Sequence, residues 1–219
     1  MALLLLTPMM AVAADERPEF LPIDDDPNLP RVLLLGDSIS VGYTLPVREK
    51  LAGEANVHRA LQNCGPTSRG VTQLEKWLGD GDWDVIHFNF GLHDLKFMED
   101  GKQQVPIKQY EENLEKIVAR LKQTGAELVW ASTTPVPDPV GGPPRKSEDV
   151  VRYNKVAAAV MHEHSVAIDD LYGFALPQLA AIQRPENVHF TPAGSEVLAR
   201  QVVESIRQAL AGPKTVGGE

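Results

Sequence analysis

Ser38, His189 and Glu186 are the residues whose types and spacing suit covalent chemistry. Ser38 lies in LLLGDSIS, residues 33–40, where an apolar run ends at a glycine, an aspartate and a serine. A serine at such a turn can cap a helix or act as a nucleophile. Glu186 precedes His189 by three residues, so its carboxylate can fold back onto Nδ1 and leave Nε2 free for a serine. Asp169 and Asp170, at the end of a predicted strand, are alternative partners for Nδ1.

Two further segments contain residues able to contact a substrate. In NCGPTS, residues 63–68, Gly65 can bring a bare backbone N–H close to a bound group. In FGLHDL, residues 90–95, His93 and Asp94 follow an apolar strand. Gly65 alone is also compatible with a plain turn, and His93 with Asp94 is compatible with a hydrogen-bonded loop pair.

The elements that must position these residues alternate along the chain. Apolar strands are expected over 31–35, 57–60, 83–90, 128–134 and 166–169. Helices are expected over 45–53, 71–78, 107–124 and 147–164, with a last one beginning at Pro192 after a Thr191 cap. This alternation predicts a parallel sheet covered on both faces, with sites beyond the carboxyl ends of its strands.

The four segments, in this order and spacing, resemble the blocks of the SGNH (GDSL-type) hydrolases over residues 36–194. The resemblance implies a three-layer α/β/α, flavodoxin-like fold and the hydrolysis of esters or thioesters without a metal or other cofactor. It implies that Ser38 is the nucleophile and that Gly65 donates to the oxyanion.

The sequence departs from the pattern of that family at two positions. His93 stands where the family usually has an asparagine, and Glu186 stands where it usually has an aspartate. A neutral imidazole still donates one N–H. The oxyanion hole is therefore expected to consist of the N–H groups of Ser38 and Gly65 and the side chain of His93.

Length and composition predict one catalytic domain in an exported protein. The chain has 219 residues, and residues 31–211 are expected to form the hydrolase domain. An apolar start followed by Ala-Val-Ala predicts a signal peptide over 1–13, hence secretion or a periplasmic location. Residues 14–30 are expected to be a linker and 212–219 a disordered tail. No later apolar run is long enough to insert stably into a membrane.

Charge and motif content restrict the function further. A net charge of -9 argues against nucleic-acid binding. A metal hydrolase is disfavoured because His162 and His164, two apart on a helix, point in different directions. The expected substrate is a small-molecule or carbohydrate ester, as in a carbohydrate O-acetylesterase. A lysophospholipase or thioesterase and a non-catalytic binding module of the same fold are the alternatives. Arg145 and Lys146, in the proline-rich loop 136–146, are candidates for setting specificity.

Overall fold

Five parallel strands form one sheet in the computed structural model, which describes residues 17–212. The strand order is β2-β1-β3-β4-β5. The strands are β1 (Arg31–Leu35), β2 (Asn56–Arg59), β3 (Val85–Phe88), β4 (Glu127–Ala131) and β5 (Ala167–Asp169). All five overlap the segments where strands were expected. Strands β1, β3 and β4 are mostly buried apolar runs, whereas β2 contains three polar residues and β5 is only partly buried.

Helices cover both faces of this sheet. They are α1 (Ser38–Lys50), α2 (Thr67–Leu78), α3 (Ile107–Lys122), α4 (Ser147–Glu163), α5 (Leu171–Ala175), α6 (Leu179–Ile182) and α7 (Pro192–Ala211). Helices α1 and α7 pack together on one face, and α2, α3 and α4 pack side by side on the other. The three-layer α/β/α fold expected from the sequence is confirmed.

Two helices begin earlier than the sequence indicated. Helix α1 starts at Ser38 and continues through Pro46, instead of covering only 45–53. The Asp37 side chain caps it by accepting the N–H of Ile39 at 2.8 Å. Helix α2 starts at Thr67 because Asp94, from a distant loop, accepts the Thr67 N–H at 2.9 Å. That second cap is a long-range contact, which local sequence cannot show.

The predicted signal peptide, and all of the predicted tail except Gly212, lie outside the described residues. Residues 17–30 lie against the domain. The Asn56 amide donates to the carbonyls of Asp26 and Leu29 at 2.9 and 3.1 Å. The Arg48 guanidinium donates to those of Pro18 and Leu21. Among residues 17–212, no helix is long and apolar enough to cross a membrane.

Candidate active site

Ser38 and His189 meet at the carboxyl edge of the sheet although 151 residues separate them. Ser38 is the first residue of α1, directly after the turn that leaves β1. His189 lies just before α7, which Thr191 caps by accepting the Gly194 N–H at 2.9 Å. The Ser38 Oγ lies 2.9 Å from His189 Nε2. This is the geometry in which an imidazole can take the proton of a serine hydroxyl.

Asn187, and not Glu186, contacts the other nitrogen of His189. Its Oδ1 is 2.7 Å from Nδ1 and also accepts the His189 backbone N–H at 2.9 Å. The Glu186 side chain is exposed and has no hydrogen-bond partner among residues 17–212. The structure therefore corrects the expectation that Glu186 contacts His189, because Asn187 makes that contact.

A local turn explains this one-residue difference. The Asn187 N–H donates to the Arg184 carbonyl at 3.2 Å, and Glu186 has a φ of 52°. With Pro185 second and a positive φ third, this is the pattern of a type II β-turn. Glu186 is thus in the exposed part of the turn, and Asn187 follows with its short side chain directed back at His189. An asparagine that bonds the backbone two residues ahead is a common turn device.

The two aspartates at the end of β5 have other partners. Asp169 Oδ2 lies 3.1 Å from His87 Nε2, and its Oδ1 accepts from Gln201 at 3.0 Å. Asp170 caps α5 by accepting the Gly173 N–H at 3.0 Å. Neither aspartate competes for His189. His87 is 1 % exposed and belongs to the core.

His93 lies at the same edge as Ser38, on the loop after β3. It is half-buried, and its ring has no hydrogen-bond partner among the described residues. Burial lowers the pKa of His93, and Asp37 opposes that effect. The ring is therefore neutral at neutral pH and keeps one N–H for a ligand.

Asp94 joins this loop to the loop that contains Gly65. It is fully buried and accepts both the N–H and the hydroxyl of Thr67. Burial raises the pKa of Asp94 to about 7. Its Oδ2 has no partner among residues 17–212, which agrees with a carboxyl that holds a proton readily.

Gly65 is buried and has a φ of 64°, which a glycine adopts without strain. Its N–H donates to Asn63 Oδ1 at 2.8 Å. Gly65 therefore lies beside the site, but its N–H group is already hydrogen-bonded to Asn63. By contrast, the N–H of Ser38 has no carbonyl to bond within α1, because Ser38 is the first residue of the helix.

The charge environment keeps His189 able to act as a base. Burial lowers the pKa of His189, Asp37 raises it, and Arg184 and Arg145 lower it. No carboxylate oxygen lies within 4.0 Å of its ring nitrogens among residues 17–212. The Asp37 carboxylate is the negative charge that raises the pKa of this ring.

Comparison with known proteins identifies the family of this chain. A model of the GDSL-like lipase/acylhydrolase family matches residues 34–197 of the chain. The chain belongs to this family. It is accordingly a carboxylic ester hydrolase. No match is found among curated proteins.

Several solved structures share the fold of this hydrolase. The acetyl xylan esterase AlAXEase has a TM-score of 0.70 at 14% identity, over 80% of this chain and 99% of its own. A lipase/acylhydrolase from Enterococcus faecalis has 0.68 at 20% identity, over 82% and 96%. An acetylxylan esterase from Geobacillus stearothermophilus has 0.65 at 16% identity, over 86% and 97%. At these identities the likeness establishes the fold.

A cleft of about 690 Å³ opens beside the Ser38–His189 pair of the hydrolase. Its apolar wall includes Ile39, Leu45 and Phe190, and Arg184 also lines it. Among residues 17–212, no group of three or more His, Cys, Asp or Glu side chains could hold a metal ion.

Asn187 is the site residue that the sequence analysis missed. Its position two residues before His189 was the available signal, because Asn side chains often bond the backbone two residues ahead. The sequence favoured Glu186 because a carboxylate is the usual partner of a catalytic histidine.

Proposed function

We propose that this hydrolase cleaves carboxylic esters with Ser38 as nucleophile, His189 as general base and Asn187 as the group that orients His189. The 2.9 Å contact between Ser38 Oγ and His189 Nε2 carries the proposal. Small acyl esters, including acetyl groups on carbohydrate, are the proposed substrates, in line with the acetyl xylan esterases that share the fold.

The proposed reaction has two halves. As Ser38 Oγ attacks the ester carbonyl, His189 Nε2 takes the hydroxyl proton. The tetrahedral intermediate collapses, the ester C–O bond breaks, and His189 returns the proton to the leaving alcohol. Water then attacks the acyl-serine with His189 again as base, which releases the acid and restores Ser38.

The negative oxygen of the intermediate needs hydrogen-bond donors. We assign this role to the backbone N–H of Ser38 and the side chain of His93, both without a protein partner in the described part of the chain. The N–H of Gly65 joins them only when the oxyanion displaces Asn63 Oδ1 from it. The dipole of α1, whose first residue is Ser38, adds stabilisation at the same point.

Replacement of the nucleophile tests the proposal. Ser38→Ala should keep the fold and lower the rate on 4-nitrophenyl acetate at least about a thousandfold. A fluorophosphonate should label Ser38 in the wild type, with the exposed Ser68 unlabelled as the internal control. Turnover by Ser38→Ala at the wild-type rate would refute the proposal and favour a binding module of this fold. A series of acyl chain lengths separates a short-chain esterase from a lysophospholipase or thioesterase.

A further inference from the structure

Three arginines are anchored beside three different residues of the site. Arg145 Nε donates to the Leu92 carbonyl at 2.8 Å, directly before His93. Arg184 Nε donates to the Phe190 carbonyl at 3.1 Å, directly after His189. These two and Arg69 are called the site arginines below.

Arg69 occupies the third position, over Gly65. Its Nη1 donates to the Asn63 carbonyl at 3.2 Å. Its Cδ and Nη1 lie 3.7 Å from the point where a side chain of residue 65 would begin. The three loops that surround Ser38 therefore each have one guanidinium attached.

In the part of the chain that the structure describes, the site arginines have backbone carbonyls, and no carboxylate, as their hydrogen-bond partners. Among residues 17–212 none of the three has a carboxylate within 4.0 Å. Several other arginines do pair with carboxylates; they are Arg17, Arg31, Arg120, Arg152 and Arg207. Arg48 and Arg59 resemble the site arginines in that they donate to backbone carbonyls. A guanidinium has five N–H donors, and a backbone carbonyl neutralises none of its charge. Each site arginine therefore has N–H groups that remain free to donate, and it keeps its full positive charge.

The positive charges of the site arginines affect the pKa values of His93 and His189. Arg145 lowers the pKa of both His93 and His189, Arg69 that of His93, and Arg184 that of His189. These positive charges lie in a protein whose net charge is -9. Carboxylates are also present, since Asp37 acts on both histidines and Glu19 and Glu196 line the cleft beside Ser38. Guanidinium groups recognise carboxylates through paired, charge-assisted hydrogen bonds.

We infer that the substrate is an ester that carries a carboxylate, which the site arginines bind while Ser38 attacks the ester carbonyl. The inference rests on the proposed function and names its substrate class. Arg184 lies on the side of His189, which protonates the leaving alcohol. Arg69 and Arg145 lie on the side of the oxyanion donors. The carboxylate can therefore be on the alcohol or on the acyl part, and the test separates the two.

The test uses matched charged and neutral esters. For the alcohol side the pair is 4-acetoxybenzoate and 4-acetoxybenzamide. For the acyl side it is 4-nitrophenyl hydrogen adipate and its methyl ester. Selectivity is the ratio of kcat/KM for the charged ester to that for the neutral ester. A general loss of activity lowers both values and leaves this ratio unchanged.

Arg145→Gln, Arg184→Gln and Arg69→Gln should each be measured beside Arg120→Gln. Arg120 is the matched control, because it pairs with Glu75 near the ends of α2 and α3, at the opposite edge of the sheet. We expect at least one site variant to lose selectivity by about tenfold. Arg145→Lys, which keeps the charge, should lose less than Arg145→Gln. Raising the salt concentration should lower selectivity in the wild type.

A fall in selectivity with the first pair assigns the carboxylate to the alcohol, and a fall with the second assigns it to the acyl group. If selectivity with both pairs is the same in all variants as in the wild type, the inference is wrong and the arginines only hold the loops. That result would leave the proposed function intact, as long as turnover of the neutral esters still requires Ser38. Turnover that does not require Ser38 would refute the proposed function instead.

Discussion

At the scale of single residues, the proposed site differs from a serine triad because the residue beside His189 Nδ1 is uncharged. A carboxylate beside Nδ1 both fixes the tautomer of the histidine and stabilises the imidazolium that forms. Asn187 Oδ1 can accept a hydrogen bond from the Nδ1–H of His189 and so fix the tautomer, but the Asn187 side chain has no charge. The buried Asp37, next to Ser38, is the carboxylate that acts on His189 through space.

Asn187 should therefore matter more than Glu186. Asn187→Ala should lower kcat about a hundredfold, because the His189 ring loses its orienting contact. Glu186→Gln, at the neighbouring residue, is the control and should keep a rate near that of the wild type. Asn187→Asp places a negative charge at Nδ1, so it should raise the pKa of His189. Because only the neutral ring accepts the serine proton, the acid limb of the kcat/KM profile should then move to higher pH. A collapse in Glu186→Gln with full activity in Asn187→Ala would contradict the assignment.

His93 should act on the intermediate more than on the bound substrate. His93→Ala should lower kcat by about a hundred- to a thousandfold with little change in KM, as loss of an oxyanion donor does. His93→Asn returns an amide donor and should recover part of this loss. His162→Ala, at an exposed histidine of α4, is the control. If kcat in both His93 variants equals the wild-type value, His93 is not an oxyanion donor.

At the scale of elements, the site depends on how helices begin. Asp37 caps α1 and leaves Ser38 as its first residue. Thr191 caps α7 and fixes the residues that follow His189. Asp94 caps α2 from the loop after β3, so the loops containing Gly65 and His93 are joined through one carboxyl group.

The contribution of Asp94 to stability should depend on pH. Its pKa is about 7 in the folded state and about 3.9 in an unfolded chain. The folded state binds this proton more tightly, so the contribution is full below about pH 4 and is lost as the pH rises through about 7. Asp94→Asn cannot ionise. The difference in the free energy of unfolding, wild type minus Asp94→Asn, should therefore fall by a few kcal/mol, in order of magnitude, between pH 4 and pH 8.

Urea unfolding at several pH values measures this difference. Asp80→Asn, at an exposed aspartate after α2, is the control. A difference for Asp94→Asn that is constant or grows with pH would show that Asp94 stays ionised in the folded protein.

At the scale of the whole molecule, the proposed catalytic residues lie at one edge of the sheet, and helix α7 extends from that edge to the other. The site lies at the carboxyl edge of the sheet, where α1, α2 and α7 begin. Helix α7 then runs across the sheet, packing against β3, β4, β5 and α1, and ends at the opposite edge. Its far end contributes buried surface and no site residue.

Ile206, which is fully buried on α7, tests this separation. Ile206→Ala should lower the free energy of unfolding by about 2–5 kcal/mol, through lost burial and a cavity. The kcat of the folded fraction should remain at the wild-type value, since the site is one helix length away. Gln208→Ala, on the exposed face of the same helix, should change stability by less than about 0.5 kcal/mol. A large fall in kcat for folded Ile206→Ala would show that the two edges are coupled.

The fold and the Ser38–His189 pair could be predicted from sequence because both follow from periodic or ordered patterns. Buried strands are short apolar runs, the amphipathic helix α3 repeats its apolar residues, and the alternation of the two dictates a parallel sheet. Once the sheet is parallel, the residues after β1 and before α7 must emerge at one edge. His87 lies in the core for the same reason, since it is part of an apolar strand.

Only the tertiary structure decided which neighbour of His189 contacts it, where α2 begins and which arginines surround the site. Glu186 and Asn187 are adjacent, and the positive φ of one turn residue determines which side chain points inward. The Thr67 cap comes from Asp94, 27 residues away, and Arg145 reaches Leu92 across 53 residues. Such contacts depend on loop geometry and on burial, and a local pattern of residue types contains neither.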